Sequence, residues 1–191
     1  ITLRLFSVWA SLPAIALIYV AGRRLLARPA TASALAAAAL VAFNPFHLYY
    51  SQEIRMYGLV GTLALAYLIS AAPWLRSTVA SVHRPKRPVW QLAAVSLTTA
   101  ALAYTQYYAI LLPLGVVLLV AARQIVARAS SRGRSTPGLA LFIAAHLAAA
   151  LLYTPWVIYA APKLAAYVAY KVTKDADAPL ASEEPQAPSP A

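Results

Sequence analysis

Glu53 is the only acidic side chain in the first 174 positions of this chain, and it stands in "YYSQEIRMY" (residues 49–57), two residues before Arg55 and between tyrosines. A carboxylate so placed can act as a base, as a metal ligand or as acceptor of a hydrogen bond from a substrate hydroxyl. A guanidinium beside it can hold a phosphate through its fork of N–H donors. The same residues also fit a plainer role, as charges at a water interface with the tyrosines forming an aromatic belt. Ionisable groups at membrane depth are costly and generally face a cavity or a partner. Composition alone leaves both readings open.

Spacing adds a constraint. Asn44-Pro45 is a turn signal, since the residue before proline avoids helical geometry. If a helix restarts at Phe46 and runs on into the next apolar stretch, Tyr50, Glu53 and Tyr57 fall at i, i+3 and i+7 on one face. Arg55 then lies about 200° around the helix from Glu53, toward the side of Ser51 and Gln52. Either the turn is irregular or the two charges serve different neighbours. His47, about 120° from Glu53 on such a helix, is a weak metal-ligand candidate and a better polar anchor. His83 reads as solvated in a basic loop, while His146, in mid-span, needs a hydrogen-bond partner from another helix. "YTQYY" (104–108) reads as an interface belt or as the lining of a lipid or sugar groove. There is no glycine-rich phosphate loop, zinc-protease motif, nucleophile elbow or nucleic-acid-binding motif, and no cysteine for a disulfide, a thiolate site or a nucleophile.

The elements that must hold these residues are membrane helices. The 191 residues are 62% hydrophobic and 11% charged, with a mean hydropathy of +0.66. Soluble domains carry about 25% charged residues. A run of about 20 apolar residues crosses a bilayer as a helix, and six candidate spans emerge: 3–21, 30–48, 57–75, 89–104, 107–122 and 138–160. The predicted fold class is all-α, a polytopic transmembrane helix bundle of about six spans with a short extracytoplasmic C-terminal tail. The net charge of +11 does not point to nucleic acid, because the basic residues cluster between apolar runs. Eleven of the sixteen fall in or beside the loops 22–29, 76–88 and 122–137. The positive-inside rule makes those loops cytoplasmic and puts Glu53 on the extracytoplasmic side of a cell membrane. This sidedness requires 89–122 to be two helices with a turn at "YTQYY" rather than one.

Residues 1–161 are expected to form the transmembrane core. Residues 162–191 are expected to form an extracytoplasmic segment, an interfacial helix over 162–173 followed by a disordered Pro/Ala-rich tail. The chain opens on Ile1 almost inside an apolar run, so it reads as a piece or processed form of a longer protein. Its alanine-rich, arginine-over-lysine composition hints at a GC-rich bacterium.

Three stretches carry a family resemblance. Pro45 to Tyr57, following "GRR" and a small-residue span, resembles the "P-F-H-x-x-Y-S-Q-E-x-R-M-Y"-like motif of membrane glycosyltransferases of family 39 type. That group belongs to the C-type superfamily, with protein O-mannosyltransferases, aminoarabinose transferases and galacturonosyltransferase-like enzymes. "YTQYYAILLPLG" is similar to a "Y-T-H-Y-Y"-like turn, and "LLYTPWVIYAAPKL" to a "PW" span exit. The resemblance covers about residues 3–164. It implies an integral inner- or plasma-membrane enzyme that moves a sugar from a polyprenyl-phosphate donor to an extracytoplasmic lipid, glycan or protein acceptor, typically with inversion. A divalent metal often assists. Carried over by position, Glu53 and Arg55 are the catalytic candidates, Arg55 as a contact to the donor phosphate. Gln52, Tyr57, Tyr50 and His47 are the substrate-binding candidates.

The resemblance is broken at two points. The family's main catalytic acid lies in a loop before the span that opens this chain, and no acidic residue precedes Glu53. The expectation is that this loop lies upstream of Ile1 or is missing, so that the stretch alone is inactive. Gln106 stands where many members carry histidine. Two non-enzymatic alternatives are a transporter or flippase-like component, which buried acids or paired broken helices would favour, and an accessory subunit that only packs against partners.

Overall fold

The computed structural model describes residues 2–26, 30–53, 56–76, 89–130 and 137–177. Every element among them is helical. In chain order these are α1 (Thr2–Ser11), α2 (Pro13–Leu25), α3 (Ala30–Ala42), α4 (Pro45–Gln52), α5 (Tyr57–Arg76), α6 (Val89–Thr105), a 3-10 turn (Tyr107–Ile110), α7 (Leu111–Ser130) and α8 (Pro137–Asp177). Prolines open α2, α4 and α8, where the missing N–H belongs to a group that has no intrahelical partner anyway.

Among the described residues, four segments are long and apolar enough to cross a membrane: Arg4–Leu25, Tyr57–Arg76, Tyr107–Val126 and Gly138–Thr173. The pair Thr31–Ala42 and Pro45–Ser51, bent by 55°, makes a fifth if taken as one broken span. The remaining expected span, 89–104, is the 17-residue α6. At about 1.5 Å per residue it falls short of the roughly 30 Å hydrocarbon layer. Its enclosure offers a reason: Gln91, Val95, Ser96, Thr99 and Leu102 are buried, so its neighbours shield it from lipid.

The chain divides into two compact units, Ile1–Tyr153 and Thr154–Ala191. In the first, side-chain hydrogen bonds to backbone carbonyls fix the direction of each helix. Thr62 Oγ1 donates to Ala10 O (2.7 Å) and Arg76 Nη1 to Arg24 O (3.0 Å), so α1–α2 runs parallel to α5. Trp74 Nε1 donates to Gly138 O (2.8 Å), Ser96 Oγ to Ala145 O (2.8 Å) and Tyr104 Oη to Leu152 O (2.9 Å). Hence α6 and α8 run side by side, both starting where α5 ends. Arg123 Nη1 donates to Leu75 O (2.7 Å), which returns α7 to that same end. The stretch 89–122 is therefore two helices, and the reversal lies at Gln106, whose backbone is extended (φ −158°, ψ 121°). Arg23, Arg24, Arg76 and Arg123 share one end of this unit, and Glu53, just before α5, lies at the other.

Tyr67, Trp74, Val95, Leu102, Val120 and Phe142 form the core where α5, α6, α7 and α8 meet. Trp74 stacks on Phe142 with ring centroids 4.9 Å apart. Small residues bring the other helices close. A Cβ at Gly22 would sit 2.9 Å from Ala34 Cβ, and one at Gly58 would sit 2.7 Å from Ser11 Cβ. Close backbone approach of this kind is the usual device where lipid supplies no hydrophobic drive between helices.

The second unit holds the remainder of α8. The sequence suggests a span ending near 160 and a separate interfacial helix over 162–173, but α8 stays helical to Asp177 and includes Pro155 and Pro162. Apolar helices tolerate such prolines because local adjustment re-satisfies the freed carbonyls. Lys163 lies over the ring of Tyr159, one helical turn back, with Nζ 3.9 Å from the centroid. The tail expected from 178 onward lies outside the described residues.

Candidate functional site

The site begins with a cap. Asn44 has extended backbone (φ −71°, ψ 118°), and its Oδ1 accepts from the N–H groups of Phe46 (2.8 Å) and His47 (3.3 Å). Together with Pro45 at the first helical position, this starts α4 as an N-cap should. Ser51 Oγ donates back to Leu48 O (2.8 Å), and Ser51 is buried.

The helix stops where the periodicity predicts that it continues. Gln52 is the last residue of α4, and Glu53 follows in extended conformation (φ −76°, ψ 139°). The next helix starts only at Tyr57. The single regular helix that would carry Tyr50, Glu53 and Tyr57 on one face is therefore not formed, because α4 ends at Gln52 and α5 begins at Tyr57. α4 packs against α1, with lighter contact to α5 and α3, while α5 is held to α1 and α2 by the Ser11–Gly58 approach and the Thr62 and Arg76 bonds.

Glu53 is half-buried, and its Oε2 is enclosed. Tyr50 and Tyr57 meet across the break, edge to face at 5.2 Å, and Tyr49 meets Tyr50 in the same way at 5.3 Å. The structure thus brings Tyr50 and Tyr57 together around the turn that holds Glu53, although one helix does not carry all three. His47 is half-buried in the first turn of α4. Arg55 and the side chain of Gln52 lie outside the described residues. No three His, Cys, Asp or Glu side chains come together among the described residues, so these alone do not make a metal centre, and no chemistry is routed through one. Chemically, a carboxylate at a helix break beside aromatic rings can accept hydrogen bonds from a hydroxylated ligand or take a proton from it.

At "YTQYY", Tyr104 packs edge to face on Tyr153 at 5.1 Å, while Tyr107 and Tyr108 are exposed with centroids 3.9 Å apart. His146 finds the interhelical partner that its position requires. Its Nδ1 lies 2.7 Å from Phe142 O, which can only accept, and its Nε2 lies 3.0 Å from Tyr67 Oη. The neutral ring thus donates through Nδ1 and accepts the tyrosine proton at Nε2, a closed arrangement that suits packing. Tyr67 itself carried no signal in the sequence, being one more apolar-compatible residue in a Leu/Ala-rich run.

The described residues define a class: an all-helical fold with several helices long and apolar enough to cross a membrane, and a helix break carrying a carboxylate at one end. Comparison with known protein families, with curated proteins and with solved structures returned no match.

Proposed function

We propose that the chain is part of an integral membrane glycosyltransferase of family 39 type. It would transfer a sugar from a polyprenyl-phosphate donor to an extracytoplasmic acceptor, with Glu53 and Arg55 in the site. The observation that carries this reading is the placement of Glu53. The sole acidic residue of the first unit sits in an extended break between helices, with one carboxylate oxygen enclosed and Tyr50 and Tyr57 beside it. It lies at the end away from Arg76, and the positive-inside rule makes the Arg76 end cytoplasmic and the Glu53 end extracytoplasmic. In this role Glu53 accepts a hydrogen bond or proton from a sugar or acceptor hydroxyl, and Arg55 stabilises the departing phosphate.

The test is sugar transfer by the intact protein from polyprenyl-phosphate-linked donors, comparing wild type with Glu53→Gln and Arg55→Ala. A loss of about a hundredfold or more in each variant is expected for a catalytic acid–base group and a phosphate-stabilising donor. Normal rates in both variants would overturn the site assignment.

The bent pair Thr31–Ala42 and Pro45–Ser51 favours one second reading, since broken spans also build the binding sites of transporters. Substrate uptake into proteoliposomes, abolished by Glu53→Gln in the absence of any sugar transfer, would replace the first reading with this one.

A further inference from the structure

At the end opposite Glu53, the ends of three apolar helices frame a cavity of about 420 Å³ lined by Leu25, Leu26, Leu75, Arg76 and Arg123. Both arginines are exposed, and each is tied to a helix-terminal carbonyl, Arg76 to Arg24 O and Arg123 to Leu75 O. Charge compensation at helix C-termini accounts for those two bonds. It does not account for both guanidinium groups lining one space with a leucine wall. A guanidinium has five N–H donors, and each of these uses one on its carbonyl, so both retain donors in a fixed fork.

The surroundings select the ligand. Glu53 is the only acidic residue before Asp175, and it lies at the far end of the 20-residue α5, about 30 Å from Arg76 at 1.5 Å per residue. No carboxylate of the first unit therefore competes for the two cations. The cavity sits at the ends of Arg4–Leu25 and Tyr57–Arg76 and near the end of Tyr107–Val126, which is headgroup level if these helices span a bilayer. Leucines beside paired guanidiniums fit a phosphate that carries an apolar body, and basic pockets between membrane helices hold anionic headgroups in this way.

We propose that this cavity binds the phosphate of an anionic phospholipid, held between Arg76 and Arg123 with its glycerol and upper acyl chains against Leu25, Leu26 and Leu75. Arg23 provides the control. It belongs to the same end, but its Nη1 bonds Thr31 Oγ1 at 2.7 Å, and it does not line the cavity.

The experiment uses the purified chain in neutral detergent, with native mass spectrometry and thermal unfolding as readouts. The probes are phosphatidylglycerol, phosphatidylcholine and inorganic phosphate. The expected result is one retained phosphatidylglycerol, favoured about tenfold or more over phosphatidylcholine, the scale set by one or two basic residues near an anionic lipid. Arg76→Gln with Arg123→Gln should abolish the preference, and Arg23→Gln should keep it. If the double variant does not fold, Leu26→Asp serves. That side chain is half exposed, and its carboxylate repels the phosphate while leaving both arginine–carbonyl bonds in place. Equal retention of the two lipids overturns the proposal. So does a preference that survives in the folded variants, or one that Arg23→Gln lowers equally. Inorganic phosphate that stabilises the chain and displaces the lipid at equal concentration overturns the lipid as occupant, in favour of a soluble phosphate.

Discussion

Tyr67 Oη and His146 Nε2 lie 3.0 Å apart, joining residues 79 positions apart in the chain across the interior of the first unit. Tyr67 is fully buried. Removing its hydroxyl leaves the imidazole nitrogen without its donor where few replacements are at hand. Tyr67→Phe should therefore destabilise the bundle by about 1–2 kcal/mol, and a double-mutant cycle with His146→Leu should show a coupling near 1 kcal/mol. Denaturant unfolding in mixed micelles measures both. Thr98→Val is the control, because its hydroxyl bonds only to carbonyls of its own helix, Ala94 O and Val95 O.

Gly58 tests the contact that aligns α1 with α5. An added Cβ would lie 2.7 Å from Ser11 Cβ and 3.5 Å from Ser11 Cα, so the helices must move apart. Gly58→Ala should cost about 1–3 kcal/mol, the range for overpacking a close contact. Ser11→Gly removes the atom in the way and should restore most of the loss in thermal unfolding of the pair. A Gly58→Ala variant as stable as wild type would mean that the two helices are not held this close.

Asn44→Ala tests the cap that starts α4. Both hydrogen bonds to Asn44 Oδ1 are lost, at about 1 kcal/mol for a typical N-cap. Hydrogen exchange at the Phe46 and His47 amides should quicken about fivefold or more, as that energy implies, while amides in the middle of α5 stay protected. Asn44→Asp keeps an acceptor and should leave exchange close to wild type.

The chain has no cysteine, so single cysteines report topology without background. Asn44→Cys and Gln106→Cys should react with a membrane-impermeant maleimide from the same side of sealed vesicles, and Arg24→Cys from the other. Labelling of Gln106→Cys from the Arg24 side would contradict the reversal between α6 and α7.

Local chemistry made some of this legible in advance. Pro45 and a capping asparagine mark the start of α4 within a few residues, and no distant contact is needed to read them. The reversal at Gln106 has no proline or glycine to announce it. It was legible because the spacing of basic loops demands two crossings there. The end of α4 was not legible, since "YYSQEIRMY" keeps a helical period and has no proline or glycine to mark a stop. The length of α8 was not legible either, since the long apolar run ends near Tyr159 whereas the helix continues to Asp177. For the candidate site, the residue types were readable, and so was the end of the bundle to which they belong. The meeting of Tyr50 with Tyr57 around an extended Glu53 required the fold.

The gathering of Arg23, Arg24, Arg76 and Arg123 at one end also makes the bundle responsive to voltage. Moving one elementary charge through a potential of 100 mV involves about 2.3 kcal/mol, so inverting these four against such a potential would cost about 9 kcal/mol. A membrane potential negative on the arginine side therefore opposes inversion of these four charges, and Arg4 near the other end of the unit offsets part of that effect. Dissipating the potential during insertion should raise the fraction of inverted molecules.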